Sequence, residues 1–152
     1  MSQGWGDGWD SRPDRQQADG GCVDGAPEGD VYDWYRRGVE LLKQRNPAAA
    51  AQLLERAAAA EPSSRSITEA LARAQFDTGK YDLAADSFRR IVESSPSDDY
   101  ARFGLGLSLA RAGDPAAAAG HLALAVAMCP HVRHYTRALH GVRATLRSLE
   151  RR

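Results

Sequence analysis

The amino-acid sequence predicts an all-α fold: a right-handed α-solenoid of three helix–turn–helix hairpins with a C-terminal capping helix, preceded by a disordered tail. Three observations carry this expectation. Four columns of residues keep a 34-residue period, namely Pro62, Pro96 and Pro130; Ala50, Ala84 and Ala118; Leu54, Phe88 and Leu122; Ala57, Ile91 and Ala125. Within a period, apolar residues recur at helical spacing, as in Ile67, Leu71 and Ala74, and then in Leu83, Ala84, Phe88, Ile91 and Val92. From Asp30 onward proline is confined to the breaks between these runs. A unit too small to bury its own apolar face is stable only when it stacks on the next, and a fixed period of this length is the mark of such stacking.

Taken in order, residues 1–29 are rich in glycine, contain Pro13 and Pro27 and have almost no aliphatic side chains. Such a stretch cannot bury enough surface to offset the entropy of ordering, so disorder is expected there. Residues 30–152 form the folded part, with hairpins at about 31–64, 65–98 and 99–132. Gly79 and Gly113 stand where the first helix of a hairpin ends, a position suited to a left-handed C-cap. Pro47 and Pro115 follow within the first turn of the second helix, where a missing N–H costs nothing, and Asn46 and Asp114 before them are N-cap residues. Turns of about three residues make the two helices antiparallel. Ser63, Ser64 and Ser97 are the candidate caps after the hairpin-ending prolines. Beyond the third hairpin, Tyr135, Leu139, Val142, Leu146 and Leu149 form one apolar stripe over about 133–150, with Arg133, Arg137, His140, Arg147 and Arg151 opposite, the pattern of a capping helix.

Composition excludes several classes of function. The apolar fraction is 43% and the charged fraction 26%, values of a soluble globular chain with no call on membrane insertion. The formal charge is zero, yet the ends differ: six acids against Arg12 and Arg15 in residues 1–29, and six arginines against Glu150 in residues 131–152. The start has neither the basic region nor the apolar run of a secretory signal, and no stretch approaches eighteen apolar residues, so a cytoplasmic protein is expected. Cys22 and Cys129 do not form the paired framework of a disulfide scaffold.

No catalytic pattern is present: neither a nucleophile elbow, nor a phosphate-cradling glycine loop, nor paired histidines around a glutamate. Asp98 and Asp99 sit at a hairpin junction, where capping and the helix dipole account for a solvated pair of acids. Cys129, His131 and His134 come closest to a metal site, but three local residues fall short of the four ligands that zinc takes. The expectation is therefore of no cofactor, no metal and no catalysis.

The 34-residue period, the small residue at the eighth position (Gly38, Ala72, Gly106), alanine at the twentieth, a large apolar residue at the twenty-fourth and proline at the thirty-second resemble the tetratricopeptide repeat family over residues 31–132. The chain departs from the family pattern at Arg37, where the seventh position is usually apolar, at the fourth position, where Trp34 is the sole tryptophan, and at the eleventh, which holds Leu41, Gln75 and Leu109 in place of an aromatic. The resemblance implies a concave surface lined by the first helix of each hairpin. Carried over by position, that surface comprises Tyr32, Tyr35, Val39, Leu42 and Lys43, then Ser66, Glu69, Arg73, Phe76 and Asp77, then Tyr100, Phe103, Leu107 and Arg111. Four rings at the rim, Tyr32, Tyr35, Tyr100 and Phe103, would offer contact area at low entropic cost. Family members that hold a C-terminal carboxylate use basic and amide residues at places occupied here by Tyr35, Val39 and Glu69, so an apolar or mixed peptide, or a helix, is the implied ligand.

The reading that results is a non-catalytic protein–protein interaction adaptor, a monomer or weak homo-oligomer, binding a segment of a partner protein. The alternative is a regulator that engages an acidic partner or nucleic acid through the basic face Arg133, Arg137, Arg147 and Arg151. No aromatic interleaves with those arginines for base stacking, so nucleic acid is not the expected partner. In the tail, Trp5 and Trp9 of GWGDGWD form a candidate linear motif, read either as part of a solubilising segment or as an occupant of the protein's own groove. The abundance of alanine and arginine points to a high-GC bacterial source.

Overall fold

The computed structural model describes residues 28–152, and the sequence features assigned to Trp5, Trp9 and Cys22 lie outside them. The described residues form seven helices and no strand: α1 (Glu28–Lys43), α2 (Pro47–Ala60), α3 (Arg65–Asp77), α4 (Tyr81–Ser94), α5 (Asp99–Arg111), α6 (Pro115–Met128) and α7 (Arg133–Glu150). Each helix packs on the next, and α1, α3, α5 and α7 also touch in succession, so the chain is an α-solenoid with two layers of helices.

Three-residue turns close the hairpins, and all three use one geometry. The second residue after the first helix takes a left-handed conformation: Gly79 at φ 81°, Gly113 at φ 98° and, in the first hairpin, Arg45 at φ 59°. The following N–H then reaches back to the helix, Asn46 to Leu41 O at 2.8 Å, Lys80 to Gln75 O at 2.9 Å and Asp114 to Leu109 O at 2.9 Å. These bonds satisfy carbonyls that the helix end would otherwise leave bare. Arg45 adopts the turn without glycine's freedom, at a steric cost of ~1 kcal/mol.

Starts are capped as the side chains dictate. Asn46 and Asp114 accept from the N–H groups of Ala49 and Ala117, with Pro47 and Pro115 in the first turn of α2 and α6. Ser64 caps α3 through Ile67 N–H. The cap of α5 is Asp98, one residue beyond the expected Ser97, and it accepts from Ala101 N–H at 3.0 Å. Nor is Asp98 solvated: it is buried, and the guanidinium of Arg65, at the start of α3, binds it through both Nε (2.7 Å) and a terminal nitrogen. One carboxylate thus caps a helix and ties two hairpins together.

Close approach of helices organises the core. A Cβ on Gly38 would lie 2.7 Å from Leu54, one on Gly106 2.7 Å from Leu122, and one on Gly104 2.5 Å from the Phe88 ring. Small residues of α1 and α5 therefore seat large residues of neighbouring second helices, and Leu54, Phe88 and Leu122 are fully buried. Gly120 and Gly141 differ, because a Cβ there meets nothing within 4 Å. Departures from the repeat pattern are absorbed locally. Buried Gln75 accepts from Ser87 Oγ at 2.7 Å, and the Trp34 ring lies 4.8 Å beneath the Arg56 guanidinium.

The cap is fastened by Tyr135 of α7, whose ring stacks on Phe103 at 4.5 Å and whose hydroxyl donates to Asp99 at 2.8 Å. Burial, that bond and the carboxylate's charge together push the phenol well above its usual range, so it stays a donor. Burial also lowers His134 and His121, helped by Arg137 for the first and by Arg102 and Arg89 for the second.

Three outcomes are expected. Gly104→Ala should destabilise by about 1–3 kcal/mol through overpacking on Phe88, whereas Gly120→Ala, with open space at its Cβ, should stabilise by ~1 kcal/mol; urea unfolding of the pair reads both signs. Arg45→Gly should raise stability by ~1 kcal/mol, a few degrees in thermal midpoint, by removing the left-handed strain. The histidines bind protons more readily in the unfolded chain than in the folded one, so stability should fall as pH drops below about 6.5. Desolvation raises the Asp77 carboxyl against the pull of Arg73, so this group acts in the opposite sense to the histidines, favouring the folded chain as pH falls through its raised pKa. A His121→Gln/His134→Gln variant whose midpoint is as pH-dependent as the parent's would refute that origin.

Candidate partner-binding groove

The first helices are brought side by side because α3 and α5 have buried residues on almost every side, leaving only one narrow face of each outward. The groove positions that the resemblance implies do not all fall on that face: the structure divides them sharply. Tyr32 is 57% exposed, with the Arg36 guanidinium 5.6 Å above its ring. Tyr35 and Val39 are half-buried, packed beside the first hairpin's core of Leu42, Ala50, Leu54 and Leu71. Lys43 and Arg111 are exposed and Arg73 is partly so.

Of the remaining positions Asp77 is exposed and Ser66 partly so, while the others are buried. Phe76 is in the core, edge-on to Tyr81 at 5.2 Å. Phe103 is 1% exposed, stacked on Tyr135 and edge-on to His134 at 5.2 Å. Tyr100 and Leu107 belong to the same core cluster. The expected rim of four rings is thus reduced at the surface to Tyr32 and Tyr35. The reason is physical: α7 is amphipathic over its whole length and lays Tyr135, Ala138, Leu139 and Val142 against the last hairpin. Glu69 is also buried, and its carboxylate pairs with Arg65 at 3.0 Å, extending the Arg65–Asp98 link into a network of three charges. Its part is to hold α3 against α5.

On α7, Arg133, Arg137, Arg147 and Arg151 are all exposed, as are His140, Arg143 and Arg152. The ion pairs among the described residues, Arg65 with Glu69 and Asp98 and Arg89 with Asp86, draw on none of them. Arg133, Arg137, His140, Arg147 and Arg151 lie opposite the buried face, and Arg137, one 34-residue period after Phe103, holds a repeat position that the resemblance assigns to the concave surface. Among the described residues no three histidine, cysteine or acidic side chains converge as a metal site would require, and His134 is engaged in ring contacts. No described helix is long and apolar enough to cross a membrane.

Sequence reasoning missed the pairs Arg65–Asp98 and Asp99–Tyr135, separated by 33 and 36 residues. The available signal was the period itself, since partners about one repeat apart at hairpin starts are neighbours in a solenoid.

Comparison with known proteins follows this geometry. The model of the tetratricopeptide repeat matches residues 35–99 and 69–132. No curated protein matches by sequence. Among solved structures, MamA MSR-1 superposes with a TM-score of 0.72 at 26% identity, over 85% of this chain and 74% of that one. The second tetratricopeptide domain of human RPAP3, in complex with the HSP70 peptide SGPTIEEVD, gives 0.70 at 17% identity, over 77% and 98%. The first such domain of Spaghetti (RPAP3), bound to the HSP90 peptide SRMEEVD, gives 0.72 at 17%, over 78% and 94%. With the repeat model spanning residues 35–132, well over half of the sequence, the chain belongs to the tetratricopeptide repeat family.

Proposed function

We propose that the protein is a non-catalytic cytoplasmic adaptor whose concave face binds a segment of a partner protein. One observation carries this reading. The groove positions that reach the surface combine rings and an aliphatic residue at one end, Tyr32, Tyr35 and Val39, with charged side chains distributed along the wall, Lys43, Arg73, Asp77 and Arg111, three of the four cationic. Tyrosine and arginine are the side chains that most often dominate a binding interface. The two RPAP3 domains of like fold bind short peptides ending in EEVD, which supports peptide capture as the use of such a surface. In this chain Tyr35, Val39 and Glu69 replace the donors of a terminal-carboxylate clamp, and Glu69 is committed to Arg65. The ligand is therefore an internal acidic or mixed segment with apolar anchors.

A second reading rests on the exposed arginines of α7, which present a cationic stripe to an acidic partner. The two are separable by one experiment. Wild type, Tyr32→Ala/Arg111→Glu and Arg147→Glu/Arg151→Glu are used as baits in the native host, with circular dichroism confirming equal helicity. Partners lost only with the first variant, with affinity down by more than about tenfold, support the groove. Partners lost only with the second, and released steeply between roughly 50 and 200 mM salt, place binding on α7 and overturn the groove reading.

A further inference from the structure

The groove wall carries one cation on each of its four helices: Lys43 on α1, Arg73 on α3, Arg111 on α5 and Arg137 on α7. Two acids share the wall. Glu69 shares the Arg65 guanidinium with Asp98, and Asp77 stands one turn from Arg73. The face carries a positive charge on every layer, the helices lying about 8–10 Å apart, with Arg73 about one turn and Arg137 about two turns before the repeat position that Lys43 and Arg111 share. An extended chain advances about 3.3 Å per residue, so a strand laid across these helices meets a new layer every three residues or so.

Residues 1–27 have that spacing. Asp7, Asp10 and Asp14 are three and four apart, with Trp5 and Trp9 interleaved, and the stretch holds five aspartates against Arg12 and Arg15. It joins the described chain at Glu28, the first residue of α1 and so the first wall of the groove. The α1 to α7 distance is three layers, about 24–30 Å. A flexible chain of 27 residues has a root-mean-square reach of about 26–31 Å. Attachment point, reach and charge therefore agree.

We propose that residues 5–14 of the chain, WGDGWDSRPD, lie across their own concave face. Asp14, Asp10 and Asp7 run toward Arg73, Arg111 and Arg137, and the tryptophans lie on the face beside α7. The proposal rests on the groove being a peptide-binding surface and names its resident ligand, which an acidic partner segment would have to displace.

The full chain is tested with a nitroxide at position 11, in a Ser11→Cys/Cys22→Ser/Cys129→Ala variant. Backbone amides around Arg73, Arg111 and Arg137 should lose most of their intensity, while those of α2 and α4 keep theirs. Arg111→Glu/Arg137→Glu should restore the signals, as should about 1 M salt, where the screening length is about 3 Å. The unsubstituted chain grown with 5-fluorotryptophan gives an independent reading: two of three fluorine resonances should move toward their free-peptide positions at high salt. Broadening confined to the first turn of α1 or to Arg147 and Arg151, fluorine shifts insensitive to salt, or broadening that appears only between labelled and unlabelled copies would each overturn the proposal. The groove reading survives such a failure if the bait experiment still shows partners lost with Tyr32→Ala/Arg111→Glu, so the two failures are distinguishable.

Discussion

Close approach of helices at Gly38, Gly104 and Gly106 is the constraint on which the remainder of the molecule depends. Leu54, Leu122 and the Phe88 ring occupy the space that a Cβ would need, within 2.8 Å of where it would stand. A packed interior has no slack to absorb such a clash cheaply. Small against large is repeated at each layer, and it sets how near the first helices come to the second helices and to one another. That nearness gives the concave wall its continuity. It also leaves α3 and α5 with few exposed positions, which is why so few of the family's groove residues remain at the surface.

A second set of contacts fixes the angle of stacking. Apolar packing of small residues is poorly directional, and helices joined by it alone can slide. Arg65 with Asp98 and Glu69, and Tyr135 with Asp99, are directional and pin the starts of α3, α5 and α7 along one edge. Asp98 is nearly inaccessible and Arg65 about a third exposed, so the pair pays part of a desolvation cost that a surface pair escapes. The offset comes from geometry: Asp98 also accepts the Ala101 N–H, so its oxygens are used fully. Bridging one hairpin to the next, these bonds convert three stacked units into one rigid surface, which an adaptor needs if its binding residues are to be held in register.

The architecture was legible in the sequence because its cause is periodic. Columns 34 residues apart, prolines at the hairpin ends and glycines in the turns all act locally or between nearest neighbours, and each left its mark at a predictable place. The candidate site was less legible. Position within a repeat says which way Tyr100 and Phe103 point, not what covers them, and coverage depends on Tyr135, whose phenol reads in sequence as one more apolar residue of a stripe. Asp98 was hidden by an ambiguity of the same kind: an acid at a helix start is explained by capping alone, and its second role needs Arg65, 33 residues away. Arg45 in a left-handed turn had no signal except its alignment with Gly79 and Gly113.

Charge placement links the cap to the groove. The last helix of any solenoid exposes a face that an interior helix would bury, and that face must be polar if copies are not to stack end on end. Either sign of charge would serve for solubility. Here it is almost wholly arginine, with Glu150 at the edge, while the opposite end of the chain is acidic in sequence. Arg137 lies where this stripe turns into the concave wall, one layer beyond Arg111, so the positive potential of the end face extends along the groove instead of stopping at the cap. On the proposed function, a segment entering the groove would be drawn by the field of α7 as well as by the residues it touches. The proposed binding would discriminate against a basic segment through the same field, because like charges would meet across a wall whose two acids are beside arginines.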